Sequence, residues 1–203
     1  IKISIKNNLS LKKILASKYI LASKSQRRAN LLTQIGLKHK IVDSKSDELE
    51  VSKYNPIKLV QINALNKSRI VAANYKNEIV IGADTIVLIG KTILHKPANL
   101  KEAKAYLKML SGKKHYVYTG LNVINTKNGK EEFAYEKTEV FFRKLKDDEI
   151  NYYVNKFKPL DKAGAYGIQD DFGCLFIEKI NGDYYNIVGL PLVKLYTTIQ
   201  KVI

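Results

Sequence analysis

In the segment LASKSQRRANLL, Ser25 stands directly before a stretch with helical apolar spacing, and Arg27 and Arg28 follow in its first turn. A serine N-cap leaves backbone N–H groups and the positive end of the helix dipole at one point, and two guanidinium forks beside them read either as an anion pocket or as a solvated arginine pair after an ordinary cap. Ser23, two residues earlier, adds a hydroxyl. Asp84 lies inside the apolar run EIVIGADTIVLIG. An ionised carboxylate in such a strand needs a cation, a metal or hydrogen bonds to compensate its burial. Its neighbours Gly82, Ala83 and Thr85 are small and leave room for a ligand. Lys67 falls at helical spacing with Val60, Ala64 and Val71, so a charge interrupts a mostly apolar face; its stem either snorkels to water or carries the ammonium into a cleft. Lys96, fixed before Pro97, suits the same role. Glu48 and Asp84 would together make the hard oxygen site that Mg²⁺ or Mn²⁺ prefers beside phosphate. DKAGAYGIQDDFG sets glycines around Tyr166 and Gln169. It reads either as a turn between β segments or as a place where backbone approaches a ligand and the Gln169 amide reads a base edge. INGDYYNIVGLP, with Asn186 and Gly189, carries the same two readings.

The elements that must position these residues follow from periodicity. Tyr19–Ala22 is compatible with a short strand, and from Ser25 a helix places Ala29, Leu31, Leu32 and Ile35 on its apolar side, with Gly36 as the stop. Lys40–Val42 suits another strand, and a polar loop, DSKSDELE, follows. Asn55-Pro56 opens a helix running to about Asn74. The continuous β-branched run around Asp84 predicts a central strand covered on both faces, turned back at Gly90-Lys91 through TILHKP. Asn99 and Glu102 resemble a capping box ahead of a helix that ends near Ser111-Gly112. KNGK between two long alternating runs predicts a β-hairpin. Asp147–Asn155 reads as a short helix, the tail as loops and short β pieces, and Pro191 as the start of a last helix. With no Ser/Gly linker or charge block, residues 1–203 are expected to form one domain whose two lobes share a sheet.

Composition bounds the partners. Lys and Arg outnumber Asp and Glu by 35 to 19, a net charge of +16 that attracts phosphate in any form, from nucleotide to duplex. The lysines are scattered singly between apolar residues, as on a solvated surface. The single cysteine, Cys174, rules out an intramolecular disulfide and points to a reducing compartment, the cytoplasm; between apolar residues its thiol is expected to be buried and inert. The three histidines stand apart, against a histidine metal site or a Ser-His-Asp triad. GxGxxG and GxxxxGK[ST] are both missing. No apolar run approaches the ~18 residues of a membrane span. KKILASKYILAS imitates a signal peptide, but Lys18 and Lys24 interrupt it and export is not expected.

In order, LASKSQRRANLL, GADTIV, HKP, LSGKKHYVYTG, DKAGAYGIQ and GDYYNIVGLPL resemble the signature segments of the Maf family of nucleoside triphosphate pyrophosphatases, from about Tyr19 to Leu192. The resemblance implies an α/β fold, an elongated mixed β-sheet flanked by helices with two lobes around a deep cleft, similar to the inosine-triphosphate pyrophosphatase architecture and often a homodimer. It implies metal-dependent hydrolysis of a nucleotide between its α and β phosphates, with a divalent cation, Mg²⁺ or Mn²⁺. Asp84 matches the family's general base and Glu48 its metal-associated glutamate, while Ser23, Ser25, Arg28, Lys67 and Lys96 match residues facing phosphate. Arg27, Thr85 and Gln169 match the branch acting on dTTP and UTP, an activity that extends to modified pyrimidine nucleotides. Gln26, Asp170 and Asp183 depart from a usual proline, glycine and serine. The alternative class is a non-enzymatic nucleic-acid-binding or division-regulating protein, which +16 favours but which leaves Asp84 and the glutamate loop unexplained.

Overall fold

The computed structural model describes residues 11–49, 55–169 and 171–203. Its centre is a mixed seven-stranded sheet made of β1 (Tyr19–Leu21), β2 (His39–Ile41), β3 (Ile79–Ile89), β4 (Thr92–Leu94), β5 (Lys114–Asn125), β6 (Glu131–Phe142) and β7 (Ile177–Asn181), in the order β2-β1-β3-β5-β6-β7 with β4 also on β3. β1 lies parallel to β2 and β3, and all other pairs are antiparallel. Helices α1 (Gln26–Gln34), α2 (Pro56–Ala72), α3 (Leu100–Leu110), α4 (Asp147–Phe157), α5 (Tyr184–Val188) and α6 (Leu192–Val202) flank it. The α/β class and mixed sheet expected from the sequence are observed, with strand and helix ends shifted by a residue or two. KNGK does join β5 to β6, through a turn in which Gly129 N–H donates to Asn125 O and only the glycine has positive φ.

Two apolar clusters form on one face of the sheet, at opposite ends of its long strands. The first packs α1 and α6 on Tyr19, Leu21, Ile79, Ile81 and Leu121. The second packs α3 and α4 on Val117, Val140 and Phe142. Residues of both clusters, among them Val188 of the first and Val87, Val117 and Tyr166 of the second, line one cleft. The signal-like segment is built into the first cluster: residues 11–16 are helical, Ile14 is buried, and Tyr19 Oη donates to Ile14 O at 2.8 Å.

β3 is long enough to serve both clusters. Its first part pairs with β1 as far as Leu21 opposite Ile81, and its last part with β4 from Leu94 opposite Val87. Between them, on that side, no strand among the described residues pairs with Gly82–Ile86. The sheet is split there, with Asp84 at the middle of the split.

α2 covers the opposite face of β3. Side chains alternate along a strand, so Val80, Asp84 and Ile86 point to α2, while Ile79, Ile81 and Ala83 join the first cluster. The helix sits unusually close because Gly82 and Gly120, on adjacent strands, have no side chain beneath it. A Cβ at Gly82 would lie 2.4 Å from Ala64 O, and one at Gly120 2.8 Å from Val60 O. The small residue at 82, read from sequence as room for a ligand, is room for this helix.

Two further expectations are corrected. Cys174 is exposed, because FGCLF forms a 3₁₀ turn in which Gly173 and Phe176 face inward and Cys174 and Leu175 face out. The tail also contains a helix, α5, that periodicity over so short a run does not reveal.

Gly82→Ala is expected to destabilise the fold by about 3 kcal/mol or more, since the clash is with backbone that has no room to give. Gly90→Ala, at φ 58° with open space around it, should cost only the left-handed penalty of about 1–2 kcal/mol. Thermal unfolding of the two variants checks this: equal losses would contradict the close-approach argument.

Candidate active site

A cleft of about 940 Å³ runs through the split in the sheet, and every residue singled out from sequence as a site residue lines it. The residues fall into two groups, one on each face of β3, with two outliers at the cleft's far wall and mouth.

The first group is built at the start of α1. Ser25 caps the helix, its Oγ accepting Arg28 N–H at 3.4 Å. Gln26 is the first residue of the helix and donates to Asn30 at 2.8 Å. Arg28 is buried and donates from Nε to Gly189 O at 2.7 Å, from one terminal nitrogen to Ser23 Oγ at 3.0 Å, and from the other to Thr85 Oγ1 at 3.0 Å. Three of the five donors of a guanidinium are thus fixed by protein, and the remainder are free to meet an anion. Burial lowers the basicity of Arg28, and the charges of Asp84 and Glu48 oppose that effect. Thr85 also shares a 2.9 Å hydrogen bond with Thr119, which donates to Asn186 O at 3.0 Å.

The second group lies against α2. Lys67 Nζ is 2.7 Å from Asp84 Oδ1 and 2.7 Å from Glu48 Oε1, and it donates to Ala83 O at 3.3 Å. The Lys67 and Asp84 side chains are each 7% exposed and Glu48 38%. The lysine that interrupts the apolar face therefore does not snorkel out but bridges two carboxylates far apart in sequence. Lys96 approaches the other Glu48 oxygen at 3.6 Å. Asn63 donates to Asp84 Oδ2 at 3.0 Å. Burial pushes the Asp84 carboxyl up, but the Lys67 charge, hydrogen bonds from Lys67 and Asn63, and the Arg28 charge outweigh it and hold the group below the usual carboxylate range. Glu48 is likewise held low: burial and Asp84 raise it, and Lys67 and Lys96 prevail. Both carboxylates are ionised at neutral pH.

Arg27 is not grouped with Arg28. Its guanidinium reaches across the mouth of the cleft to the carboxylate of Asp161, and its second terminal nitrogen donates to Asp161 O at 3.1 Å. Gln169 stands in the 161–169 wall, with Oε1 buried and without a hydrogen-bond partner among the described residues. Behind that wall Tyr166 Oη meets His115 Nε2 at 2.7 Å, and burial pushes the imidazole down to about 3, so His115 is a neutral packing group. Gly164, at φ 70°, turns the chain against Val87 rather than facing a ligand. Asp183 caps α5, accepting from Tyr185 N–H at 2.7 Å, and aspartate is a good N-cap residue. Asp170 lies outside the described residues.

Sequence reasoning missed Asn63, Thr119 and Asp161. Asn63 left one usable signal, its spacing of four residues before Lys67 on the same helix face. Thr119 is found only from its register opposite Thr85.

Mg²⁺ and Mn²⁺ take oxygen ligands, commonly one or two carboxylates completed by phosphate and water. Glu48 and Asp84 fit that pattern, since both already converge on one cation, the Lys67 ammonium. Among the described residues no cluster of three or more His, Cys, Asp or Glu side chains is assembled that could hold a metal by itself. No helix among them is long and apolar enough to cross a membrane.

The dTTP/UTP pyrophosphatase of Bacillus mycoides (strain KBAB4) is 45% identical over 180 residues, 89% of this chain and 93% of that protein. The dTTP/UTP pyrophosphatase of Dictyoglomus thermophilum is 42% identical over 181 residues, 89% of this chain and 93% of that protein. A solved structure, that of the Staphylococcus aureus Ham1 protein, is similar at a TM-score of 0.44 and 13% identity, covering 62% of this chain and 72% of that one. The family model for Maf-like proteins matches residues 18–202, and with that span and these relatives the chain belongs to the Maf family.

Proposed function

We propose that this protein is a nucleoside triphosphate pyrophosphatase that hydrolyses dTTP and UTP, and modified pyrimidine nucleotides of the same base edge, to the monophosphate and pyrophosphate. The observation that carries the reading is the buried Lys67 ammonium at 2.7 Å from both Glu48 and Asp84, beside a helix N-terminus armed with Arg28. Family membership and the activity for which its relatives are named support the substrate class.

Phosphoryl chemistry rests on positioning and charge neutralisation. In our reading the triphosphate lies along the split in β3. Ser23, Ser25 and the free donors of Arg28 take phosphate oxygens at the α1 end, while Lys67 and Lys96 face them from the other wall. Glu48 and Asp84 would hold Mg²⁺ or Mn²⁺, which neutralises phosphate charge when bound. Asp84 accepts the proton of the water that attacks the α phosphorus; the bond from that phosphorus to the bridging oxygen breaks, and pyrophosphate leaves with the bond's electron pair. An aspartate held low by Lys67 is a weak base, so its contribution is mainly to orient the water and receive the proton late.

Gln169 supplies base selection. Its unpaired Oε1 suits the N3–H donor of uracil or thymine, while its Nε2 donates to a ring carbonyl. Arg27 closes the mouth with Asp161 and opens onto the nucleotide. The single cysteine suits a reducing compartment, the cytoplasm.

Asp84→Asn is expected to retain the fold and lose roughly 10²-fold or more in kcat for dTTP; near wild-type turnover would remove Asp84 as the proton acceptor. Gln169→Glu, which loses the amide donor, should flatten the preference for dTTP and UTP over purine triphosphates and leave a measurable rate. An unchanged substrate profile would take Gln169 out of base recognition.

A further inference from the structure

Asn63 takes no part in the chemistry proposed above, yet its carboxamide is nearly saturated. Oδ1 accepts the Leu49 N–H at 2.9 Å, and Nδ2 donates to Leu49 O at 3.1 Å and to Asp84 Oδ2 at 3.0 Å. The side chain is on α2 and buried to 3% exposure. An amide that pairs both ways with one backbone residue acts as a substitute strand partner, giving a loop outside the sheet the kind of pairing it would have inside it.

The residue it grips is the one after Glu48. The 43–49 segment has no regular secondary structure, and among the described residues Glu48 itself is tied by side-chain ion pairs to Lys67 and Lys96. Ion pairs of a partly exposed carboxylate hold a loop weakly. The Leu49 side chain packs against the Leu59, Val60 and Ile86 cluster, the Asn63 pairing fixes the Leu49 backbone, and the same amide sets the second oxygen of Asp84.

We infer that Asn63 is a positioning residue, which joins the Glu48 loop to Asp84 through one carboxamide and so fixes both carboxylates around Lys67. The catalytic part of this inference rests on the pyrophosphatase reading; the structural part does not. Neighbouring charges do not duplicate the role. Lys67 contacts both carboxylate side chains but neither backbone atom of Leu49, and Arg28 acts from the other face of β3.

Two variants separate the two halves of the amide. Asn63→Leu keeps the approximate volume and removes every polar atom. It should speed hydrogen exchange at the Leu49 amide by about tenfold, leave β3 amides protected as in the wild type, and lower kcat for dTTP by about tenfold or more with little change in KM. Asn63→Asp retains an oxygen for the Leu49 N–H but sets an oxygen against both Leu49 O and Asp84 Oδ2, to which Nδ2 had donated. Its Leu49 exchange should rise less than in Asn63→Leu, while kcat falls at least as far.

Wild-type kcat in both variants overturns the inference, as does Leu49 exchange that ignores Asn63→Leu, or faster exchange spread evenly over the chain. If Asn63→Leu does not fold, Asn63→Asp decides alone, and a wild-type kcat in it overturns the role. If the wild-type protein releases no pyrophosphate, the activity falls, and the exchange rate at Leu49 then decides whether Asn63 ties down the Glu48 loop.

Discussion

A lysine ammonium and an aspartate carboxylate buried together at 2.7 Å set the terms for the rest of this structure. Taking two ions out of water costs several kcal/mol each, and the pair is tolerated only with close geometry and further hydrogen bonds. Each requirement can be traced to the chain. α2 must lie nearly on the strand backbone, and Gly82 and Gly120 permit that. Lys67 and Asn63 must project from one helix face, and a spacing of four residues provides it. The Glu48 loop must bring a second carboxylate to the same ammonium, and the Asn63 amide holds the adjacent backbone. Such a pair is a poor investment for stability alone, because an apolar pair of similar volume serves as well. Its natural use is chemical: two carboxylates and a cation held ready for a charged substrate.

The split along β3 makes that readiness accessible. Neighbouring residues of a strand face opposite sides of a sheet, so Asp84 and Thr85 would ordinarily be separated by the sheet itself. Because β1 ends opposite Ile81 and β4 ends opposite Val87, the two sides communicate through the gap. Arg28, anchored on Thr85 from one side, thereby influences Asp84 on the other. The arrangement resembles the general placement of ligand sites at the ends of strands where neighbouring chains diverge.

Much of this was legible before the fold was known. The Ser25 cap, the Asp84 strand and the odd lysine at position 67 each break a local pattern, and the structure brings all three to one cleft. What sequence could not convey was distance and facing. Gly82 reads as empty space beside an aspartate until the helix above it is seen. Cys174 reads as buried because its neighbours are apolar, but a 3₁₀ turn with a repeat of three sends it outward. Arg27 and Arg28 read as one cationic pair, whereas their helical offset directs the first to Asp161 and the second to Ser23, Thr85 and Gly189. Asn63 looks like an ordinary helix residue until the loop it grips is placed beside it.

The central claim is that the cleft around Lys67, Glu48 and Asp84 hydrolyses pyrimidine nucleoside triphosphates. The most direct test is pyrophosphate release by the purified protein from dTTP, UTP, CTP and the purine triphosphates, with Mg²⁺, with Mn²⁺ and with EDTA. The account predicts turnover that needs the metal and is led by dTTP and UTP. Release led by a purine would contradict the base-recognition assignment, and no release from any of them would contradict the pyrophosphatase itself.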